Sequence, residues 1–424
     1  MLEAEKQQCD VSRNLPQGCA PAEPIGLYLH VPFCAAKCAY CDFYSGFATD
    51  IMLDKYAERL AAEIKKWGGE IHRPINTVYF GGGTPSLLGG RIGPLMQAVR
   101  GSFELCGNAE ITLEANPECF FGSRELAAPS AEGQAAFPEF LSSALRAGVN
   151  RLSVGIQSGT DRELKTLGRR HTASEAEKAV SLARRAGFNN ISLDLMIGLP
   201  GSDICSLRRS LDFLLGLAPE HISAYILKIE PNTALWRQNI SLPDDDRTAD
   251  QYLFACEYLE NAGYRHYEIS NFARPGFEGR HNLGYWNGGE YLGLGPSAHS
   301  FLNGRRFFYP RDLKAFLNCG VSDSVQSAES PKEPKFPQSI SPLIISDGCG
   351  GSAEEYIMLR LRTSGGINFR KYERRFKPLP KEFYEECRRL EKAGLMRVAK
   401  SSAALTDRGM LVSNSIIISL TERL

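Results

Sequence analysis

Six short runs of strand character, at 26–31, 77–81, 110–115, 151–157, 191–197 and 221–228, alternate with helix-like stretches such as 53–67, 174–186 and 204–217. That alternation admits few folds. Parallel strands need long crossover connections, the crossovers are right-handed, and their helices end up covering the sheet. Gly187, directly after the stretch that ends at 186, supplies a helix stop. Six units are too few for a closed eight-unit barrel, but they suit an open barrel of the same design. The expected fold class is α/β: a partial, six-unit TIM-like barrel with its chemistry at the carboxyl ends of the strands.

The rest of the chain divides around that unit. Residues 1–24 form a polar extension, and 25–317 hold the barrel plus an extension carrying His-Asn-Leu-Gly-Tyr-Trp at 281–286. Residues 119–138 have no periodicity and read as an insertion. Seven Ser and four Pro fall between 319 and 350, so 318–350 reads as a flexible linker. From 351 to 424 the pattern is helix (353–362 and 380–393), two strands (396–399 and 403–405), then helix (407–420). This suits a small winged-helix-like α+β domain.

At the first strand's carboxyl end stand Cys34, Cys38 and Cys41, three thiols within eight residues. One loop can aim all three at a single point, and soft thiolates select iron–sulfur clusters, zinc or copper(I). Structural zinc takes four protein ligands, so three suggest a [4Fe–4S] cluster with one open iron; zinc with a distant fourth ligand is the alternative. The nine other cysteines are scattered, unlike a compact disulfide framework, so a reducing compartment is expected. The first 24 residues lack the apolar core of a secretory signal, and no apolar run approaches a membrane span. Cytoplasm is the expected location. Lys+Arg and Asp+Glu are both 49, which argues against nucleic-acid binding, including by the Arg-rich terminal domain.

Unusual sequence follows most of the other strands. Gly81, Gly82 and Gly83, followed by Thr84 and Pro85, would let backbone approach a ligand, or simply build a tight turn. Glu114, Gln157, Arg169 and Asp194 offer carboxylates, an amide and a guanidinium around one mouth, as an adenosine, ribose and amino-acid ligand would need. Tyr40, beside Cys41, can shield a cluster. His281, with Tyr285 and Trp286, is a heme-ligand candidate, although on residue types alone a packed core histidine is the stronger reading. His30, His266 and His299 read as core histidines too.

The Cys34, Cys38, Cys41 spacing with Tyr40 resembles the radical S-adenosylmethionine (SAM) signature. Together with Tyr-Leu-His-Val-Pro-Phe before it, Gly-Gly-Gly-Thr-Pro, Leu-Ser-Val-Gly-Ile-Gln-Ser and Asp-Leu-Met-Ile-Gly-Leu-Pro-Gly, it is similar to the oxygen-independent coproporphyrinogen III oxidase family. The similarity runs from about 25 to 317 and again from 353 to the end. It implies a barrel of the radical SAM type and a [4Fe–4S] cluster on Cys34, Cys38 and Cys41. It also implies SAM on the open iron, whose cleavage releases a 5′-deoxyadenosyl radical. Tyr28, Gly82 and Glu114 would contact that SAM. Tyr40, Gly83, Thr84, Gln157, Arg169 and Asp194 would line what is a second SAM site in the decarboxylating oxidase.

Phe43 stands where that oxidase carries an additional cysteine. Cys-Asp-Phe, the motif at 281–286 and the short terminal domain resemble instead the heme chaperone branch, HemW. This implies heme binding, with His281 the best ligand candidate, and delivery of heme to respiratory heme proteins. It further implies an electron donor for the cluster and contact with membranes only through partners. Oxidase activity is not expected; the oxidative decarboxylase is the alternative.

Overall fold

The structure, a computed structural model, describes residues 23–121, 138–319, 337 and 340–424. All but the last two residues of the 1–24 extension, the insertion beyond Phe121 and most of the 318–350 stretch lie outside the described residues.

Twelve strands form the main sheet among the described residues. Its centre is six parallel strands in chain order: β1 (Ile25–Val31), β2 (Ile75–Gly82), β3 (Leu105–Ala115), β4 (Arg151–Gln157), β5 (Ile191–Ile197) and β6 (His221–Ile226). Parallel strands covered by apolar groups on both faces read as continuous apolar runs. These alternate instead, because only one face is apolar. Leu27, Leu29, Phe80, Leu113, Leu152, Val154, Leu193 and Leu195 are fully buried in one core with Leu60, Ile64 and Trp67 of the first helix, Asp50–Gly68. The intervening positions lie on the opposite face and line the hollow of the barrel. Across that face Tyr28 pairs with Tyr79, Glu114 with Ser153, and Asp194 with Ser223.

The helices between strands carry their own stops. Helix Ala173–Ala186 starts on a reciprocal Thr172–Glu175 capping box and ends on left-handed Gly187 at φ 112°. Helix Ile204–Gly216 starts on an Asp203–Ser206 box.

The sheet extends past both ends of the six units. β7 (Arg265–Glu268) and β8 (Asn271–Ala273) continue it antiparallel beyond β6. On the other side β9 (Tyr291–Leu294) joins β1 in parallel, followed by antiparallel β10 (His299–Leu302), β11 (Arg305–Phe308) and β12 (Ile345–Cys349). β12 corrects the linker reading at its carboxyl end. Its residues are exposed because it is an edge strand, paired on one side with β11. The motif at 281–286 lies in helix Arg280–Trp286.

In the terminal region, β13 (Ile367–Asn368), β14 (Met396–Ala399) and β15 (Ser402–Leu405) form an antiparallel sheet in the order β13-β15-β14. Helices Ala353–Leu361 and Lys381–Lys392 pack on it, with Phe383, Cys387 and Leu390 one turn apart on the buried face. The expected single helix over 407–420 is two, Asp407–Leu411 and Ser413–Thr421, because Val412 leaves helical geometry at φ −111°, ψ 23°. This domain is tied to the β7 edge by backbone hydrogen bonds from Ile269 N to Arg362 O (2.9 Å) and from Ser364 N to Tyr267 O (3.0 Å). Among the described residues no helix is long and apolar enough to cross a membrane.

Candidate cofactor site

The cysteine loop is held from both sides. Gly83 N donates to Val31 O (2.8 Å) and Thr84 N to Phe33 O (2.7 Å), so the end of β2 is stitched to the start of the loop. Cys34 N donates to Gly46 O (2.9 Å), Ala39 N to Leu167 O (3.1 Å), and Leu235 N to Ala39 O (2.7 Å). Tyr40 packs with Leu167, Leu199, Leu227 and Leu235 in a small apolar cluster beside the loop.

A polar relay links two of the thiols. Thr84 Oγ1 donates to Cys34 Sγ (3.5 Å), Asn116 Nδ2 to Thr84 Oγ1 (3.1 Å), Arg169 Nη2 to Asn116 Oδ1 (2.8 Å), and Arg169 Nη1 to Cys38 Sγ (3.2 Å). Arg169 also donates to Gly155 O (2.5 Å). A side chain at 155 would crowd Asn116, Gln157 and Arg169, each at 3.0–3.3 Å from its Cβ. Arg169 thus aims a cation at the Cys38 sulfur. For Cys41 burial raises the thiol, against a backbone hydrogen bond from Phe43 and the charge of Lys37.

The glycine triplet has a reason beyond ligand contact. A Cβ on Gly82 (φ 113°) would meet the His30 ring at 2.6 Å, and one on Gly83 would meet Phe33 O at 2.4 Å. The chain's own packing therefore demands glycine here, while Gly82 and Gly83 also face the cavity.

Two carboxyl groups sit deeper. Tyr79 OH donates to Glu114 Oε1 (2.7 Å) and Gly82 N to Oε2 (3.1 Å). Burial pushes Glu114 up to about 7, against the pull of these donors. Asp194, which accepts from Ser153 Oγ at 3.4 Å, is pushed up by burial to about 6. Gln157, at the tip of β4, holds a left-handed φ of 75°, a conformation that is costly without glycine.

These groups surround one cavity of about 390 Å³, a size suited to a small organic ligand. Cys34, Cys38, Cys41, Tyr40, Gly82, Gly83, Thr84, Glu114, Gln157, Arg169 and Asp194 all line it. Asn116, Ser153, Gly155 and Tyr225 line it as well and were not singled out from the sequence. Their signal was there, since Ser153 and Tyr225 occupy inward positions of β4 and β6 in register with neighbouring site strands. Phe43 stands at the rim, 68% exposed.

Tyr28 and His281 are not brought to the cavity wall. Tyr28 OH meets His30 Nδ1 at 3.0 Å, and its ring stacks on Tyr79. His281 lies under the opposite, amino-terminal end of the barrel, which helix Arg280–Trp286 closes. Its backbone N and that of Arg280 both donate to Glu110, at the start of the paired part of β3. The ring is buried, with Nδ1 2.7 Å from Thr77 Oγ1 and Nε2 2.7 Å from Tyr285 OH. Burial lowers its pKa to about 3, so it is neutral. Both nitrogens have partners within the chain, as in a packed histidine. What His281 does touch is Tyr79, stacked at 5.1 Å, whose hydroxyl holds Glu114.

The donor set suits a cluster. Among the described residues the loop cysteines do not form a group of donors within 4.8 Å of one another. Thiolates on one zinc, with bonds of about 2.3 Å, would stand closer than that. Three spread thiols with Arg169 and Thr84 at their sulfurs suit a multi-iron cluster.

The comparisons agree with this geometry. The family model for the radical SAM superfamily matches residues 28–214, and that for the HemN C-terminal domain matches 352–412. Coproporphyrinogen III oxidase (HemN) from Escherichia coli shares the fold with a TM-score of 0.74 at 22% identity, over 96% of this chain and 92% of that one. Fold and site together define a radical SAM protein, the class that carries a [4Fe–4S] cluster and SAM.

The heme chaperone HemW of Mycobacterium tuberculosis is 40% identical over 412 residues, covering 94% of this chain and 95% of the relative. That of Escherichia coli is 37% identical over 319 residues, covering 73% and 80%. The chain belongs to the heme chaperone HemW family.

Proposed function

We propose that this chain is a heme chaperone that binds heme beside its cofactor cavity and passes it to an acceptor protein. The observation that carries the placement is a second cavity of about 590 Å³, between β6 and the terminal domain. Tyr225 belongs to the walls of both cavities. Tyr252, Ile269, Trp286 and Met410 supply apolar and aromatic surface. Arg362 lies over the Trp286 ring at 5.7 Å and gives a cation for the carboxylates of a flat macrocycle.

In the first cavity, Cys34, Cys38 and Cys41 would hold the cluster, with Gly82 and Glu114 toward the SAM on it. Tyr40, Gly83, Thr84, Gln157, Arg169 and Asp194 complete that wall. Bound together, cluster and SAM supply one-electron chemistry. The chain's own part is to fix the thiolates through Arg169 and Thr84 and to hold a proton at Glu114. Tyr28 and His281 act from behind, through Tyr79. A heme-accepting respiratory protein and an electron donor are the partners this reading calls for, in the cytoplasm, with any membrane contact made through the acceptor. Phe43, where the oxidase resemblance places cysteine, supports the chaperone over the decarboxylase.

Heme titration tests the placement. Trp286→Ala and Arg362→Ala are each expected to weaken heme binding about tenfold, the effect of roughly 1.4 kcal/mol. In His281→Ala, affinity should fall while the heme absorption and paramagnetic resonance spectra keep their wild-type form, since no axial ligand is removed. A changed spectrum would restore His281 as a ligand. Unchanged affinity in both cleft variants would overturn the placement, and efficient anaerobic decarboxylation of coproporphyrinogen III would overturn the function.

A further inference from the structure

Away from both cavities, three donors of different chemistry meet where the terminal domain joins the sheet. Cys256 comes from helix Asp245–Asn261, His266 from β7, and Asp407 from the first turn of helix Asp407–Leu411. One ligand atom of each lies within 4.8 Å of the other two. We propose that Cys256, His266 and Asp407 form a divalent-cation site, of the kind zinc occupies, that clamps the terminal domain to the barrel.

A thiolate, an imidazole and a carboxylate are the three donor types that zinc takes, and three protein ligands leave a fourth position for water. The simpler account is a hydrogen-bonded packing cluster built on the His266–Asp407 pair. His266 Nδ1 meets Asp407 Oδ1 at 2.9 Å and is the nitrogen turned toward the other donors. The ring is held in that orientation, stacked on Phe272 at 4.3 Å with Tyr252 at its edge. Cys256 is 1% exposed, while the Tyr252 hydroxyl donates to Ile269 O at 3.0 Å. Asp407, with 35% of its side chain exposed, opens a way in for an ion.

Zinc bonds of about 2.0–2.3 Å place neighbouring donors roughly 3.5 Å apart. Filling the site therefore draws the widest pair, at most 4.8 Å apart, together by up to about 1 Å. Two of the donors belong to the barrel domain and one to the terminal domain, so the pull tightens that junction. Tyr252, which also lines the second cavity, reaches Met410 Sδ at 3.9 Å across the same junction.

The test uses the full chain with Cys34, Cys38 and Cys41 changed to Ser, so that the loop takes no metal. Loaded with Zn2+ alone and desalted, it should retain one zinc per chain by elemental analysis. In that background Cys256→Ser and Asp407→Asn should each lower zinc affinity at least tenfold in competition with a chromogenic chelator. Cys205→Ser, at an exposed cysteine, should leave it unchanged. Because Cys256→Ser could unfold, a second measurement leaves Cys256, His266 and Asp407 intact. Co2+ in the same background should give thiolate charge-transfer and tetrahedral ligand-field absorption. No retained zinc and no cobalt bands, or zinc retained equally by Cys256→Ser and Asp407→Asn, overturns the site.

Discussion

Gly83→Ala should remove most of the cluster while leaving the secondary structure in place. The added Cβ would stand 2.4 Å from Phe33 O, 2.8 Å from Phe33 N and 2.8 Å from Val31 O. All three are backbone atoms at the start of the cysteine loop, so no side chain can swing aside. The end of β2 and the loop must part. Two hydrogen bonds are lost with them, Gly83 to Val31 and Thr84 to Phe33. At about 1 kcal/mol each, with about 1–3 kcal/mol for forced overpacking, the local cost is about 3–5 kcal/mol. Thr84 then no longer reaches Cys34, and the three thiols lose their common orientation. Iron and sulfide per chain after anaerobic reconstitution should fall at least tenfold, with far-ultraviolet circular dichroism close to wild type. Gly82→Ala should be milder, because the His30 ring it meets can shift. Gly101→Ala, with nothing near its Cβ, should be silent. Normal cluster loading in Gly83→Ala would contradict this account of the triplet.

The central strands were legible because one face packs on helices and the other lines a polar hollow. The resulting alternation marked β4 and β5 at the bounds observed. The same alternation put Glu114 and Asp194 in the cavity, since inward residues near strand ends converge at the mouth of any such barrel. What the sequence withheld depends on distant contacts. β9, four residues long, is a strand only because it returns to pair with β1. His281 is enclosed as a plug because the chain passes under the barrel, where Thr77, Tyr285 and Glu110 receive it. No local pattern near 281 carries that information. His266, read as an ordinary core histidine, gains a partner only from Asp407, 141 residues later.

Binding of SAM should release protons below neutral pH and none above pH 8. Glu114 and Asp194 are raised by burial to about 7 and about 6. At pH 6 the first is therefore mostly protonated and the second about half. A cationic ligand beside Glu114 restores the carboxylate, so the proton leaves as the ligand arrives. Global stability is a poor readout here. A carboxyl whose folded pKa is raised binds protons more tightly when folded, so its contribution is full below pH 4 and is lost as pH rises to about 7. His30 and His281, lowered to about 4 and about 3, act oppositely and lose their contribution as pH falls below 6.5. The two trends overlap near pH 5–6 and obscure each other in an unfolding curve. Calorimetric heats of SAM binding, compared across buffers of different ionisation enthalpy, isolate the ligand-linked proton. Approaching one proton released at pH 6, falling to zero at pH 8, is the expected result. Glu114→Gln should abolish most of that release and weaken binding by about 2 kcal/mol, near thirtyfold, through loss of a charge-assisted contact. Equal release at both pH values, or release unaltered in Glu114→Gln, would show that the buried carboxyl does not meet the ligand.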